Sequence, residues 1–369
     1  MTRRSLLLAF AGGVAPRAGP LSGKPEPVLL LPPGPGNPRN SEGDFLQLRD
    51  GRLLFAYTRF GGDGEDHAPA EIVTRFSSDG GQTWSAEDRT LVAGEGAQNV
   101  MSVSLLRLAD GRIGLFCLRK NSRLDCQVLG RFSSDEARTW SSPLLCTPDP
   151  GYFVMNNDRG VQLSSGRILL PVSLHTFGGQ FTYRGVAMCY LSDDGGRTWR
   201  RSRDVVECPD RESPSGLQEP GLIELNDGRL MMFCRTDLGS QYVAYSSDGG
   251  ERWSGARPSP LLSPRSPASI ERIPKTGDLL AVWNDHSRVP EQTRRRGLRT
   301  PLTVAISKDE GGSWIHRKRL EESPEGFYCY TAIEFVDDHV LLAYMAADQV
   351  PARQIRITML RLPIEFLYA

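Results

Sequence analysis

The chain has 369 residues, enough for one large domain with a sizeable buried core. Lys plus Arg and Asp plus Glu both number 44, so the net charge is zero and nothing marks a chain built to track a nucleic-acid backbone. The densest basic run, RRRGLR at 294–299, is short and isolated. With 38 Gly and 26 Pro, turns and short strands are favoured over helices.

Taken in chain order, the first element is a predicted export signal over residues 1–22. Arg3 and Arg4 precede a short apolar stretch, LLLAFAGGVA, too short to span a bilayer and similar to a twin-arginine signal. Residues 23–369 follow as the main domain, and the expected location is periplasmic or extracellular. No later segment is apolar enough for a membrane helix, so no membrane insertion is expected. EPVLLLPP (26–33) reads as a lone strand.

Two motifs then alternate along the chain. S-x-D turns closed by Trp occur five times: SSDGGQTW (77–84), SSDEARTW (133–140), SDDGGRTW (192–199), SSDGGERW (246–253) and SKDEGGSW (307–314). In each, the Asp folds back on nearby backbone N–H groups, while Gly takes the turn dihedrals and Trp packs between sheets. Ala137 stands where the other copies favour Gly, which predicts a local defect.

A strand–turn–strand pattern occurs six times: LRDGRLLFAY (48–57), LADGRIGLFC (108–117), LSSGRILLPV (163–172), LNDGRLMMFC (225–234), PKTGDLLAVW (274–283) and FVDDHVLLAY (335–344). Six copies predict six blades. The sixth has no S-x-D turn. After 335–344 comes one more apolar strand, QIRITMLRL (354–362), and 26–33 is the expected fourth strand that closes the ring. The fold class is therefore all-β, a six-bladed β-propeller of four-stranded antiparallel blades closed by an N-terminal strand. The seven cysteines match no zinc or redox spacing and read as core residues.

In such a blade the D-G turn and the S-x-D turn lie at one end, so the residues before strand 1, after strand 2 and before strand 3 gather at the other. Before strand 1 stand Glu42 and Asp44, Gln98-Asn99, Asn156 to Arg159, Gln218-Glu219, Ser266, and Tyr328 with Tyr330. After strand 2 stand Arg59, Arg119-Lys120, His175, Arg235 and Asn284-Asp285-His286. The first blade's loop adds Asp63, Glu65, Asp66 and His67, and Arg299 precedes strand 3 of the fifth.

The five S-x-D-x-G-x-T-W copies resemble the Asp-box of the sialidase (neuraminidase) superfamily, also called BNR repeat proteins, over about residues 26–362. The resemblance implies a retaining exo-glycosidase acting on terminal, possibly acidic, sugars of glycans. QEPGLIELNDGRLMMFCR matches the family's base-and-arginine layout with Glu219 and Arg235, and RTPLTVAISKDEGGSW supplies Arg299. YCYTAIEFVDDHVLLAY supplies the tyrosine nucleophile as Tyr330, with Tyr328 as the alternative. GDGEDHAPAEIVTRFSSDGG supplies the acid/base as Asp66, with Asp63 second. A phenol activated by Glu suits a substrate whose reacting carbon bears a carboxylate, because an attacking carboxylate would be repelled. Arginines pair with that carboxylate. The substrate-binding set is Arg235, Arg299, Glu42, Arg39, Arg59, Arg119, Asn157, Asp158, Arg159, His175, Asp285 and His286.

One departure counts. Glu42-Gly43 occupies the place of the family's R-I-P arginine, and Arg39 lies three residues earlier. A polysaccharide lyase using Tyr330, His175 or His286 as base, and a non-catalytic glycan-binding propeller, are the other two readings. No cofactor is expected, and no metal, since three-His and two-His-one-carboxylate spacings are absent. The expected partner is a glycan or oligosaccharide.

Overall fold

A computed structural model describes residues 25–291, 294, 297–349 and 354–369, so the expected export signal over 1–22 and part of the basic run lie outside the described residues. Six small antiparallel sheets are arranged as the blades of a propeller. Blade 1 is β2 (Arg39–Gln47), β3 (Leu53–Phe60), β4 (Ala70–Ser77) and β5 (Arg89–Val92). Blade 2 is β6 (Asn99–Arg107), β7 (Ile113–Ser122), β8 (Asp125–Ser133) and β9 (Leu144–Leu145). Blade 3 has its first strand split into β10 (Phe153–Val154) and β11 (Val161–Gln162), both paired with β12 (Ile168–Phe177), then β13 (Gln180–Ser192) and β14 (Arg200–Arg201). The split frees Asn156, Asn157, Asp158 and Arg159 from the ladder.

Blade 4 is β15 (Gln218–Glu224), β16 (Leu230–Arg235), β17 (Ser240–Ser246) and β18 (Arg257–Leu262). Blade 5 is β19 (Ser269–Arg272), β20 (Leu279–Asn284), β21 (Leu302–Ser307) and β22 (Ile315–Glu321). Blade 6 is β23 (Phe327–Val336), β24 (His339–Ala347), β25 (Arg356–Pro363) and, from the other end of the chain, β1 (Pro27–Leu31). The closing register pairs Leu29 with Met359 and Leu31 with Ile357. A short helix α1 (Ile364–Tyr368) ends the chain and buries Ile364 and Leu367.

Middle strands are apolar over most of their length because each blade is covered on both faces. Six apolar clusters fill the six spaces between adjacent blades; Leu54, Ile72, Val103 and Leu115 lie between blades 1 and 2, and Leu53, Phe55, Leu341 and Met359 between blades 6 and 1. Each such side chain contributes about 1.5–3 kcal/mol on burial. All seven cysteines are buried and free.

The S-x-D turns hold themselves. Asp79 Oδ1 accepts from Gln82 N (3.0 Å) and Thr83 N (2.9 Å), its Oδ2 accepts from the Thr83 hydroxyl at 2.6 Å, and Ser77 Oγ accepts from Gly81 N at 2.9 Å. Asp135, Asp194, Asp248 and Asp309 repeat the pattern. Each Trp lies against the preceding blade, but only Trp199 and Trp314 are buried. Trp84, Trp140 and Trp253 are half-buried, contrary to the expectation of a full wedge. The indole N–H of Trp84, Trp199 and Trp253 bonds back to its own turn's glycine carbonyl. None of these turns lines the cleft at the opposite end.

Candidate active site

The first strand of four blades carries a bulge at one register. Pairing slips between Ser41 and Asp44, Met101 and Ser104, Gln218 and Gly221, and Cys329 and Ala332. At each slip one non-glycine residue takes a left-handed backbone: Glu42 (φ 53°), Ser102 (φ 58°), Glu219 (φ 47°) and Tyr330 (φ 57°). Such a conformation costs on the order of 1–3 kcal/mol and persists only where the surroundings impose it. All four side chains line one cleft of about 530 Å³. Gly221, after the Glu219 bulge, has no room for a side chain, since a Cβ there would lie 2.2 Å from the Phe233 ring.

Tyr330 Oη donates to Glu219 Oε1 at 3.0 Å. Arg235 Nη1 donates to the same oxygen at 2.7 Å and lies 3.4 Å from Tyr330 Oη. The Arg299 guanidinium lies over the Tyr330 ring at 5.5 Å and donates to Cys329 Sγ at 3.0 Å. Burial would raise the Glu219 carboxyl, but Arg235, Arg299 and the Tyr330 hydroxyl outweigh it and hold it below the usual glutamate range. Burial and the Glu219 charge push the Tyr330 phenol up, against both arginines, so it stays neutral. Glu219 Oε2 and Arg235 Nε are buried without a protein partner. A neutral phenol against an ionised carboxylate is an acceptor–donor pair ready for proton transfer.

The opposite wall is acidic. Arg39 donates to Asp66 Oδ1 (2.6 Å), Glu42 Oε1 (3.0 Å) and Ser41 Oγ (3.0 Å), with its guanidinium 4.3 Å from the Phe60 ring centre. It lies behind the cleft wall, committed to its two carboxylates, and is not among the cleft's lining residues. Burial raises the Glu42 carboxyl above its ordinary value despite Arg39, while Ser102 donates to its other oxygen at 2.7 Å. For Asp66, partial desolvation at the cleft mouth is outweighed by Arg39 and Lys120, which hold it well below the usual carboxylate range. Its side chain keeps 62% of its surface in solvent, at the cleft mouth.

Of the expected catalytic and substrate-binding residues, Glu42, Asp66, His175, Glu219, Arg235, Arg299 and Tyr330 line the cleft, joined from the same end by Glu65, His67, Lys120, Asn156 and Gln218. Tyr328 is buried against Tyr344 and faces away, and Asp63 caps Glu65 N outside the cleft. Arg59 pairs with Glu71 and Asp88 over a separate surface hollow. Arg119 points out of the cleft and its neighbour Lys120 points in, because adjacent strand residues face opposite sides. Asn157 donates to Gly43 O (2.7 Å) and Tyr330 O (3.2 Å), tying two bulges together. Asp158 accepts from Ile333 N (3.0 Å), and Arg159 donates to Ala268 O (2.7 Å), both beneath the cleft floor. Asp285 is taken by Arg317 at 3.0 Å, outside the cleft. His286 lines a neighbouring cavity of about 580 Å³ that shares Arg265 and Arg299 with the cleft.

Ser102, Arg123, Tyr152, Phe181, Tyr183 and Arg265 line the cleft without having been singled out. One signal existed for Ser102: the bulge residue precedes the turn aspartate by a fixed interval, 42 to 50, 102 to 110 and 219 to 227. Nothing comparable marks the aromatics. Among the described residues, no group of His, Cys, Asp and Glu is arranged to hold a metal ion, and no helix is long and apolar enough to cross a membrane.

The family described as BNR repeat-like domain matches residues 40–341. The chain belongs to the sialidase/BNR-repeat family. A sialidase of Micromonospora viridifaciens is 28% identical over 379 residues, covering 89% of this chain and 56% of that protein. A Clostridium perfringens sialidase is 28% identical over 270 residues, covering 63% and 66%. This family member thus spans less than two thirds of either curated relative. A Dyadobacter fermentans protein of unknown function superposes with a TM-score of 0.71 at 18% identity, over 91% of this chain and 99% of that one, a likeness of fold.

Proposed function

We propose that the protein is a sialidase-like retaining exo-glycosidase that removes a terminal, acidic sugar from glycans. The observation that carries this is the 3.0 Å bond from Tyr330 Oη to Glu219 Oε1, with Arg235 on the same oxygen. Tyr330 attacks the anomeric carbon and passes its proton to Glu219, while a carboxyl of the acidic wall protonates the departing oxygen. Water then displaces the tyrosine from the sugar, giving a proton to the wall carboxylate left by the first step, while the Glu219 proton returns to the phenol. Arg235 and Arg299 hold the substrate carboxylate, and Arg235 Nε and Glu219 Oε2 gain the partners they lack. The twin-arginine-like segment 1–22 exports a propeller of residues 23–369 to where such glycans lie.

The proton donor has two readings. Asp66 occupies the family position, but its ion pair with Arg39 keeps it ionised. Glu42, bridged to the same guanidinium and raised by burial, is the carboxyl that retains a proton to higher pH. Two carboxyls whose environments push them apart are the pattern of an acid and its ionised partner. Comparing poor with good leaving groups in Asp66→Asn and Glu42→Gln identifies the donor as the variant that suffers most on the poor ones.

The test of the function is a panel of aryl glycosides, including sialosides and uronides, with product anomers followed by NMR. Turnover with retention is expected, and Tyr330→Phe lowers it by about a hundred-fold or more. An unsaturated product absorbing in the near ultraviolet would make the protein a lyase. Saturable binding without turnover of any member would make it a binding module.

A further inference from the structure

The cations of the cleft are not all engaged alike. Lys120 Nζ donates to Asp66 O at 3.0 Å, Arg123 lies over the Phe181 ring at 5.8 Å, and Arg235 is bonded to Glu219 at 2.7 Å. Arg299 donates to Cys329 Sγ and lies against the rings of Phe327 (4.7 Å) and Tyr330 (5.5 Å), with no carboxylate partner among the described residues. Arg265 makes no hydrogen bond and no ion pair among the described residues. It is exposed, and like Arg299 it lines both the cleft and the neighbouring cavity.

The backbone beneath this free guanidinium is held from several sides. Arg265 sits in the loop from β18 to β19, where Pro264 and Pro267 fix their own φ and restrict the serine before each. Ser266 N donates to Pro264 O at 2.7 Å, closing a three-residue turn with Arg265 at its tip. Gln241 Nε2, buried in β17, donates to Ser263 Oγ (2.9 Å) and Ser266 O (2.8 Å), and Ser263 N donates to Gly239 O at 3.0 Å. Ser263, Pro264 and Ser266 are buried, and Arg265 alone of the four is exposed. A cation presented on such a frame costs little backbone freedom when a ligand binds, and no protein anion has to be displaced from it.

Charge is divided across the cleft. Glu42 and Asp66 come from blade 1, whereas Arg265 and Arg299 come from the loops that lead into β19 and β21 of blade 5. We infer that Arg265 is a specificity-determining residue, which joins Arg299 in holding the acidic group of the sugar on the blade 5 side. The inference rests on the glycosidase reading for the presence of that sugar in the cleft. Arg299 lies over the Tyr330 ring, so an acidic group beside the reacting carbon falls within its field. Arg235 shares its charge with Glu219, while Arg299 and Arg265 have no carboxylate to share theirs with. A guanidinium fork matches the two oxygens of a carboxylate, which makes a sugar acid the class of ligand selected.

Titrating N-acetylneuraminate, glucuronate and galacturonate into the full chain, each beside its neutral methyl ester and followed by NMR, tests the residue without requiring turnover. At least one acid should bind saturably and more tightly than its ester. Arg265→Ala should weaken that acid about ten-fold and its ester by less than about two-fold, and Arg265→Lys should recover part of the loss. Equal losses for acid and ester would make Arg265 a packing or hydroxyl contact and overturn the inference. Unchanged affinity for the acid in Arg265→Ala, or no saturable binding by any acid, would overturn it as well. Failure of every aryl glycoside, with the difference between acid and ester intact, would bring down the glycosidase reading and leave the grip on the acid standing. Where an acidic aryl glycoside is hydrolysed, Arg265→Ala should raise KM more than it lowers kcat, because the acidic group is held before and during reaction. A fall in kcat with KM unchanged would end the assignment to specificity.

Discussion

Glu42 and Arg39 together decide what charge the cleft presents. Arg39 is spent on Glu42 and Asp66, so of the expected arginines Arg235 and Arg299 remain to face the acidic wall, with Arg123 and Arg265 also lining the cleft. A unit charge a few ångströms from a carboxylate is worth on the order of 4 kcal/mol at an effective dielectric near 20, and a quarter of that is about five-fold in affinity. Glu42→Gln should therefore tighten binding of free N-acetylneuraminate several-fold; an unchanged inhibition constant would show that Glu42 already carries a proton in the bound state. The pH profile carries the opposite sign at Glu219. Its folded value is lowered, so the base is lost only as pH falls through that depressed value. In kcat/KM, the acid limb should lie below the ordinary glutamate range and move up in Arg235→Lys, where the bond to Oε1 is weakened.

At the scale of the element, the bulge is the device that turns a strand into a site. It rotates one side chain per blade toward the axis, and Asn157 pins two of these bulges by their carbonyls. Asn157→Ala should cost about 1–3 kcal/mol and lower kcat more than it raises KM, because Tyr330 is displaced while the arginines stay. A thermal shift with unchanged kcat would make Asn157 purely structural. The second blade's turn offers a control far from the cleft. Ala137 is held at φ 61° and still donates to Ser133 Oγ at 3.0 Å. Ala137→Gly relieves a left-handed alanine at a smaller entropic cost, so Tm should rise, by about 0.5–1 kcal/mol of stability, with activity unchanged.

Across the whole molecule, the inner strands bring Asp44, Asp158, Glu271 and Glu334 together beneath the cleft, with Arg159 beside them. Burial raises all four, Asp158 to about 6 and Glu334 to about 7, and repulsion by Asp158 adds to it in Asp44, Glu271 and Glu334. A raised folded value means that the folded state holds its protons longer than the unfolded one. The associated stability is complete below the unfolded carboxyl range and is lost as pH rises toward about 6 to 7. Glu334→Gln should flatten that decline in Tm between pH 4 and 7, a span set by the ordinary glutamate value of 4.5 and the shifted one near 7. A Tm that climbs steadily over the same span in the wild type would contradict it.

The sequence by itself determined the six blades, the strand that closes them and the pairing of Tyr330 with Glu219, Arg235 and Arg299. The blades and the closing strand follow from a periodic signal, since a turn every blade forces equivalent residues to one end of the ring. The pairing follows from the resemblance of those segments to sialidases. Tertiary structure alone decided which side of each strand meets the cleft. Adjacent strand residues face opposite sides, so Lys120 rather than Arg119 points inward, and Arg59 and Asp285 are lost to ion pairs on other faces. It also decided that Arg39 is spent on Glu42 and Asp66 and that Phe181 and Tyr183 line the cleft. Both depend on which distant loops meet across the ring, and local periodicity carries no record of such encounters.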